Sequence, residues 1–119
     1  MSAISTHVLD TASGRPAVGM SVRLEHVAPG RDEEIARATT DSAGRVASLG
    51  PELIESGTYR LVFDTGSYLG RQSRGSGSSA DNPVFFPEVT VTFTVADGGE
   101  HYHVPLLLSP FGYATYRGS

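Results

Sequence analysis

Between Val89 and Val95 the chain alternates without a break: Val89, Val91, Phe93 and Val95 are apolar, and Thr90, Thr92 and Thr94 lie between them. Period-two alternation puts one set of side chains on each face of an extended strand, whereas a helix would scatter both sets around its circumference. Such a strand needs a sheet beside it and a second layer over its apolar face. The rest of the chain is built to match. Its Gly (14) and Pro (7) residues punctuate short strand-like runs, and no segment sustains a 3.6-residue period. The pattern predicts an all-β sandwich or barrel.

Taken in order, Ile4 to Asp10 reads as a strand, with Ile4, Thr6 and Val8 on one face and Ser5, His7 and Leu9 on the other. A loop to Pro16 leads to a second strand, Met20 to Val27, whose Met20, Val22 and Leu24 face inward. Pro29 to Asp32 is a turn into a third strand, Glu34 to Thr40. Asp41-Ser42-Ala43-Gly44 is a tight turn handing over to a short strand that begins at Arg45. Thr58 to Asp64 is a strand with Tyr59, Leu61 and Phe63 inward. Thr65 to Arg71 forms one or two helical turns capped by Thr65, and Gln72 to Asn82 is a Ser/Gly-rich loop. After the alternating strand, Asp97 to Glu100 reads as a hairpin turn, His101 to Ser109 as a strand, and Tyr113 to Arg117 as the last one.

From Val104 onward the penultimate strand is apolar on both faces. One face meets the core. The other needs a cover, most simply a second copy of the chain, so a homo-oligomer is expected.

At 119 residues the chain is expected to be one domain, residues 1–119. It has no Cys, which removes disulfides and thiolate metal sites. A formal charge of -4 argues against non-specific nucleic-acid binding, which needs a basic face. No apolar run is long enough to span a bilayer, and the first residues lack a basic segment followed by an apolar one, so no membrane partner and a cytoplasmic location are expected.

Three side chains stand out by position. His7 has the outward parity of the first strand, His103 shares parity with Pro105 and Leu107, and Arg45 follows directly on a tight turn. Each taken singly reads as an ordinary surface or interface residue. His101 and His103 share a strand face and form a possible two-ligand metal set, but no third ligand is evident; His26 and His101 read as surface residues. The closing Tyr116-Arg117-Gly118-Ser119 reads either as a solvated tail or as a terminus pinned into a site.

Several stretches carry a resemblance. Thr6-His7-Val8-Leu9-Asp10, Gly44-Arg45, Gly57-Thr58-Tyr59-Arg60-Leu61, Phe85-Phe86-Pro87-Glu88-Val89, the run from His101 to Pro110, and the closing tetrapeptide resemble the transthyretin-related 5-hydroxyisourate hydrolases. The likeness spans essentially the whole chain with its motifs in order. Transthyretins share the fold and the Leu-Leu-Ser-Pro stretch but lack the terminal tetrapeptide and the His/Arg/His set. The loop from Gln72 to Asn82 departs by being longer and richer in Ser and Gly.

The resemblance implies an eight-stranded antiparallel Greek-key β-sandwich of the transthyretin type with one short helix after the fifth strand. It implies a homotetramer, a dimer of dimers, with sites in the channel where dimers meet. It places the catalytic residues at His7, Arg45 and His103, and substrate contacts at Tyr116 and Ser119, with Arg117 and Gly118 in the same segment. Neither metal nor other cofactor is implied. The reaction is hydrolytic opening of 5-hydroxyisourate to 2-oxo-4-hydroxy-4-carboxy-5-ureidoimidazoline, after urate oxidation. His7 is assigned as general base, with His103 the other candidate; Arg45 binds the substrate's oxygens; Arg117 holds the terminal carboxylate or a neighbouring subunit. The competing reading is a transthyretin-type carrier using the same channel for small molecules.

Overall fold

A computed structural model of the chain describes residues 3–75 and 84–118. Among these, ten strand segments and one helix follow one another: β1 Ile4–Asp10, β2 Arg15–Pro16, β3 Ser21–Ala28, β4 Arg31–Thr39, β5 Arg45–Val46, β6 Gly57–Phe63, α1 Thr65–Gly75, β7 Val89–Val95, β8 Tyr102–His103, β9 Leu106–Ser109 and β10 Gly112–Thr115. They form two sheets. One runs β4-β3-β6-β7, antiparallel throughout. The other is organised on β1, in the order β10-β9-β1-β2, with β5 and β8 also paired to β1.

The inner faces meet in one apolar cluster. Ile4 and Val8 of β1, Leu106 and Leu108 of β9 and Val46 of β5 face Val22 and Leu24 of β3, Tyr59, Leu61 and Phe63 of β6, and Val89 and Val95 of β7. The alternating strand behaves as its pattern dictates: its threonines are exposed, and Val89 and Val95 are buried. The all-β sandwich with a single short helix is therefore the fold of the described residues.

Four local expectations are corrected. The second sheet is mixed, because β1 pairs parallel to β8 and β9. Asp97 to Glu100 is a tight turn but not a hairpin, since β7 and β8 belong to different sheets. The Tyr102 hydroxyl accepts the Ala96 and Asp97 N–H groups at 3.1 and 3.2 Å and ties down the crossover. The long strand expected from His101 to Ser109 is broken at Val104–Pro105, where proline has no N–H to donate. There the Thr6 hydroxyl donates to the Val104 carbonyl at 2.6 Å in place of a ladder bond. Finally, the helix cap is Asp64, whose carboxylate accepts the Ser67 N–H, while the Thr65 hydroxyl donates to the Phe86 carbonyl. The helix continues to Gly75, past the expected Arg71; of the Ser/Gly-rich loop, residues 76–82 lie outside the described residues.

Candidate active site

Because Ile4 and Val8 point into the core, the intervening Ser5 and His7 of β1 point away from it. Register then decides their neighbours. His7 lies directly opposite Arg45 of the antiparallel β5, and Ser5 lies beside His103 of the parallel β8. Residues paired across strands share a face. The outer face of this sheet thus gathers His7, Arg45, Ser5 and His103 from three separate parts of the chain.

Arg45 is delivered by the turn before it. The Asp41 carboxylate accepts the N–H groups of Arg45 and Ala43, both at 2.9 Å. These bonds, Arg45 N–H first, hold the Asp41 carboxyl below the usual carboxylate range. Gly44 adopts φ +75°, and a Cβ there would stand 2.5 Å from the Val8 carbonyl oxygen and 2.9 Å from Pro16 Cβ. Only glycine fits both the backbone and the space. Gly44→Ala is expected to destabilise the fold by at least ~1–2 kcal/mol from the left-handed backbone alone, read as a lower urea midpoint, and to displace Arg45 from His7.

The His7 ring is fixed by the same turn. Its Nε2 lies 2.9 Å from the Ala43 carbonyl oxygen. A carbonyl only accepts, so Nε2 carries the hydrogen, and in the neutral ring Nδ1 keeps its lone pair. His103 is held at its Nδ1, 2.8 Å from Ser5 Oγ. Burial pushes the His103 pKa below its ordinary value, and the charges of His101, His7 and Arg45 push in the same direction. His103 is therefore neutral at pH 7. A lowered histidine pKa means that the unfolded chain takes up a proton which the folded chain refuses. Stability is accordingly expected to fall as pH drops below about 6.5, the unfolded value. A ring-proton NMR titration checks the site directly: His103 should titrate below 6.5.

The end of the chain is pinned against this histidine. The Gly118 N–H donates to the His103 carbonyl at 2.8 Å, and a Cβ on Gly118 would lie 2.5 Å from His103 Cδ2 and 3.4 Å from Pro105 Cγ. The Thr115 hydroxyl donates to the Pro105 carbonyl at 2.7 Å. Tyr116 and Arg117 instead line a cleft of about 250 Å³ with Tyr102, Val104, Thr115 and the β7 residues Val91 to Thr94. Arg117 donates from Nη2 to Glu100 at 2.7 Å and lies 4.5 Å over the Tyr102 ring, so among the described residues it holds Glu100. Ser119 lies outside the described residues. Among the described residues no group of three His, Cys, Asp or Glu side chains is placed to hold a metal ion.

Two histidines read as surface residues have closer engagements. His26 stacks on the buried Tyr59 ring at 4.7 Å. His101 is exposed, but its Nε2 reaches Ser5 Oγ at 2.9 Å. Ser5 itself was not singled out by its sequence. The signal available was parity, since it shares a strand face with His7.

The family model described as HIUase/Transthyretin matches residues 4–118. A 5-hydroxyisourate hydrolase of Caulobacter vibrioides is 40% identical over 119 residues, covering 100% of both chains. The structure of Klebsiella pneumoniae 5-hydroxyisourate hydrolase superposes with a TM-score of 0.81 at 33% identity, covering 100% of both chains. Transthyretin from Sparus aurata superposes equally well, with a TM-score of 0.82 at 30% identity over 99% of this chain and 97% of that one. The backbone alone does not separate hydrolase from transthyretin, and the full-length identity to curated hydrolases does. This chain belongs to the HIUase/Transthyretin family.

Proposed function

We propose that the chain is a hydrolase that opens 5-hydroxyisourate, and that the outer face of β1 is its active site. One observation carries the assignment of the site: strand register sets His7 against Arg45 and Ser5 against His103 on a single face. A planar, oxygen-rich substrate suits this face. The Arg45 fork matches carbonyl or anionic oxygens. Water attacks the ring carbonyl carbon. His7 Nδ1 takes one of its protons, Arg45 stabilises the developing oxyanion, the C–N bond breaks, and the nitrogen leaves with a proton from His103. No step calls for a metal or other cofactor. Tyr116 and Ser119 enter as substrate contacts on the family resemblance; within one chain Tyr116 lines the cleft against β7.

We further propose that residues 1–119 act as one domain, assembled as a dimer of dimers in the cytoplasm. The support is a row of exposed aromatics on and beside the β9–β10 hairpin. Phe111 and Tyr113 are exposed there, with Phe85 6.0 Å from Phe111 between ring centroids. β10 and β7 each lie at one end of their sheet, with one side unpaired among the described residues.

The test is spectrophotometric. 5-hydroxyisourate made from urate by urate oxidase decays on its own, and this protein should accelerate the loss of absorbance. Decay at the uncatalysed rate, from protein shown by light scattering to be folded and tetrameric, would refute the hydrolase reading and favour a carrier. A channel lined by these imidazoles and a guanidinium is a poor host for an apolar ligand, since the charges would be desolvated without partners.

A further inference from the structure

Ser5 is 7% exposed and has one hydroxyl hydrogen to share between two imidazole nitrogens, His101 Nε2 at 2.9 Å and His103 Nδ1 at 2.8 Å. Both bonds cannot be donated by the serine. When it donates to one ring, the other ring must donate to it. The tautomers of His101 and His103 are therefore coupled through a single oxygen.

We infer that His101 and Ser5 form a proton relay that loads His103 at Nδ1 as its Nε2 gives a proton to the substrate's leaving nitrogen. The inference rests on the hydrolase reading above. It answers a difficulty in that reading. A neutral imidazole that surrenders its Nε2–H without replacement becomes an imidazolate, an unfavourable product at pH 7. Here the replacement is in line. His101 Nε2–H passes to Ser5 Oγ, the Ser5 hydroxyl hydrogen passes to His103 Nδ1, and His103 Nε2–H passes to nitrogen. His103 ends neutral with its proton on the opposite nitrogen, and Ser5 ends as a hydroxyl. His101 is exposed and takes a proton from solvent at Nδ1 as its Nε2–H departs, so it too ends as a neutral ring and no imidazolate forms. The proton taken from water by His7 returns to solvent, so protons balance over the turnover.

The surroundings favour a neutral His103. The charges of His101, His7 and Arg45 disfavour a positive charge resting on His103. Beyond Tyr102, Arg117 and Glu100 pair at 2.7 Å and offset each other's charge. His101 and Ser5 are positioning residues in this scheme, acting through His103. The first half of the His101-Tyr102-His103 motif thereby acquires a use: two residues apart on an extended segment, both rings reach the same serine.

The experiment compares wild type with His101→Ala, His101→Gln and Ser5→Ala, and reads kcat and KM separately. The relay predicts that both His101 variants lose about tenfold or more in kcat with KM little changed. Glutamine can donate an N–H to Ser5 but cannot pass a proton on, so it should not rescue. Added imidazole should restore kcat in His101→Ala in a concentration-dependent way and leave Ser5→Ala unrestored. Full kcat in His101→Gln would overturn the relay and leave only an orienting hydrogen bond, as would an absent imidazole response. Ring ¹⁵N NMR of the resting wild type supplies a readout independent of turnover: His103 should carry its hydrogen on Nε2, and a hydrogen found on Nδ1 would overturn the direction of transfer. Wild type that fails to accelerate 5-hydroxyisourate decay refutes the hydrolase reading itself. Active wild type with indifferent His101 variants refutes only the relay.

Discussion

Replacing His103 by glutamine is expected to lower kcat/KM for 5-hydroxyisourate by on the order of 10²–10⁴, the range for removal of a positioned acid or base. Glutamine nearly fills the space of the ring and can still hydrogen-bond to Ser5, so the fold should hold. Its amide neither gives up nor takes a proton near neutral pH. The loss should fall mainly on kcat, because His7 and Arg45 keep their places opposite each other on the proposed site face. A circular-dichroism melt beside the kinetics separates the two contributions: a large kinetic loss with an unchanged melting temperature assigns the effect to chemistry. An activity within threefold of wild type would remove His103 from the reaction and move proton donation elsewhere.

Gly118→Ala is expected to be nearly as damaging, although it adds one methyl group to an exposed segment. The added Cβ would lie 2.5 Å from His103 Cδ2 and 3.3 Å from Cγ. Neither the tail nor the ring can yield without cost: the tail is bonded to the His103 carbonyl through Gly118 N–H, and the ring is bonded to Ser5. A shift of about 1 Å in a reacting group can cost about 10² in rate, and a loss of that order is the expected result. Gly70→Ala is the matched control. A Cβ on that helical glycine meets nothing within 4 Å. It should leave kinetics unchanged and add up to ~1 kcal/mol of stability through helix propensity. Equal kinetics for the two variants would show that the tail does not set the position of the His103 ring.

The parts of this molecule legible in its sequence are those governed by period. The alternation at Val89 to Val95, the inward set Met20, Val22 and Leu24, and the set Tyr59, Leu61 and Phe63 are all core-facing as their parity requires. Partner choice was not legible. Asp97 to Glu100 has the chemistry of a hairpin turn, and Asp97 does accept the Gly99 N–H at 2.9 Å. Nothing local reveals that the chain then leaves for the other sheet, because that is decided by the pairing of Tyr102 and His103 with Ile4 and Ser5, almost a whole chain away. The helix start misled for a similar reason. Thr65 is a good cap by type, but its hydroxyl is used by the Phe86 carbonyl, and Asp64 caps instead.

The candidate site divides in the same way. His7, Arg45 and His103 came together in the sequence through a family resemblance, and strand register now gives a physical reason for placing them on one face. Ser5 stayed hidden because a serine in a strand announces nothing by itself. Its role is defined by two rings 96 and 98 residues further on.

The central position of β1 has a consequence in time. It is made before every strand it pairs with, β2, β5, β8 and β9. At ~5–20 residues per second, the 98 residues from Ser5 to His103 take roughly 5–20 s to synthesise. β2 and β5 are made within that interval, but the edge of β1 that takes β8 and β9 stays without them until its end. The nascent chain is thus exposed to mispairing and dependent on shielding for most of its synthesis. Catalytic competence arrives abruptly, when β8 and β9 emerge and close onto β1.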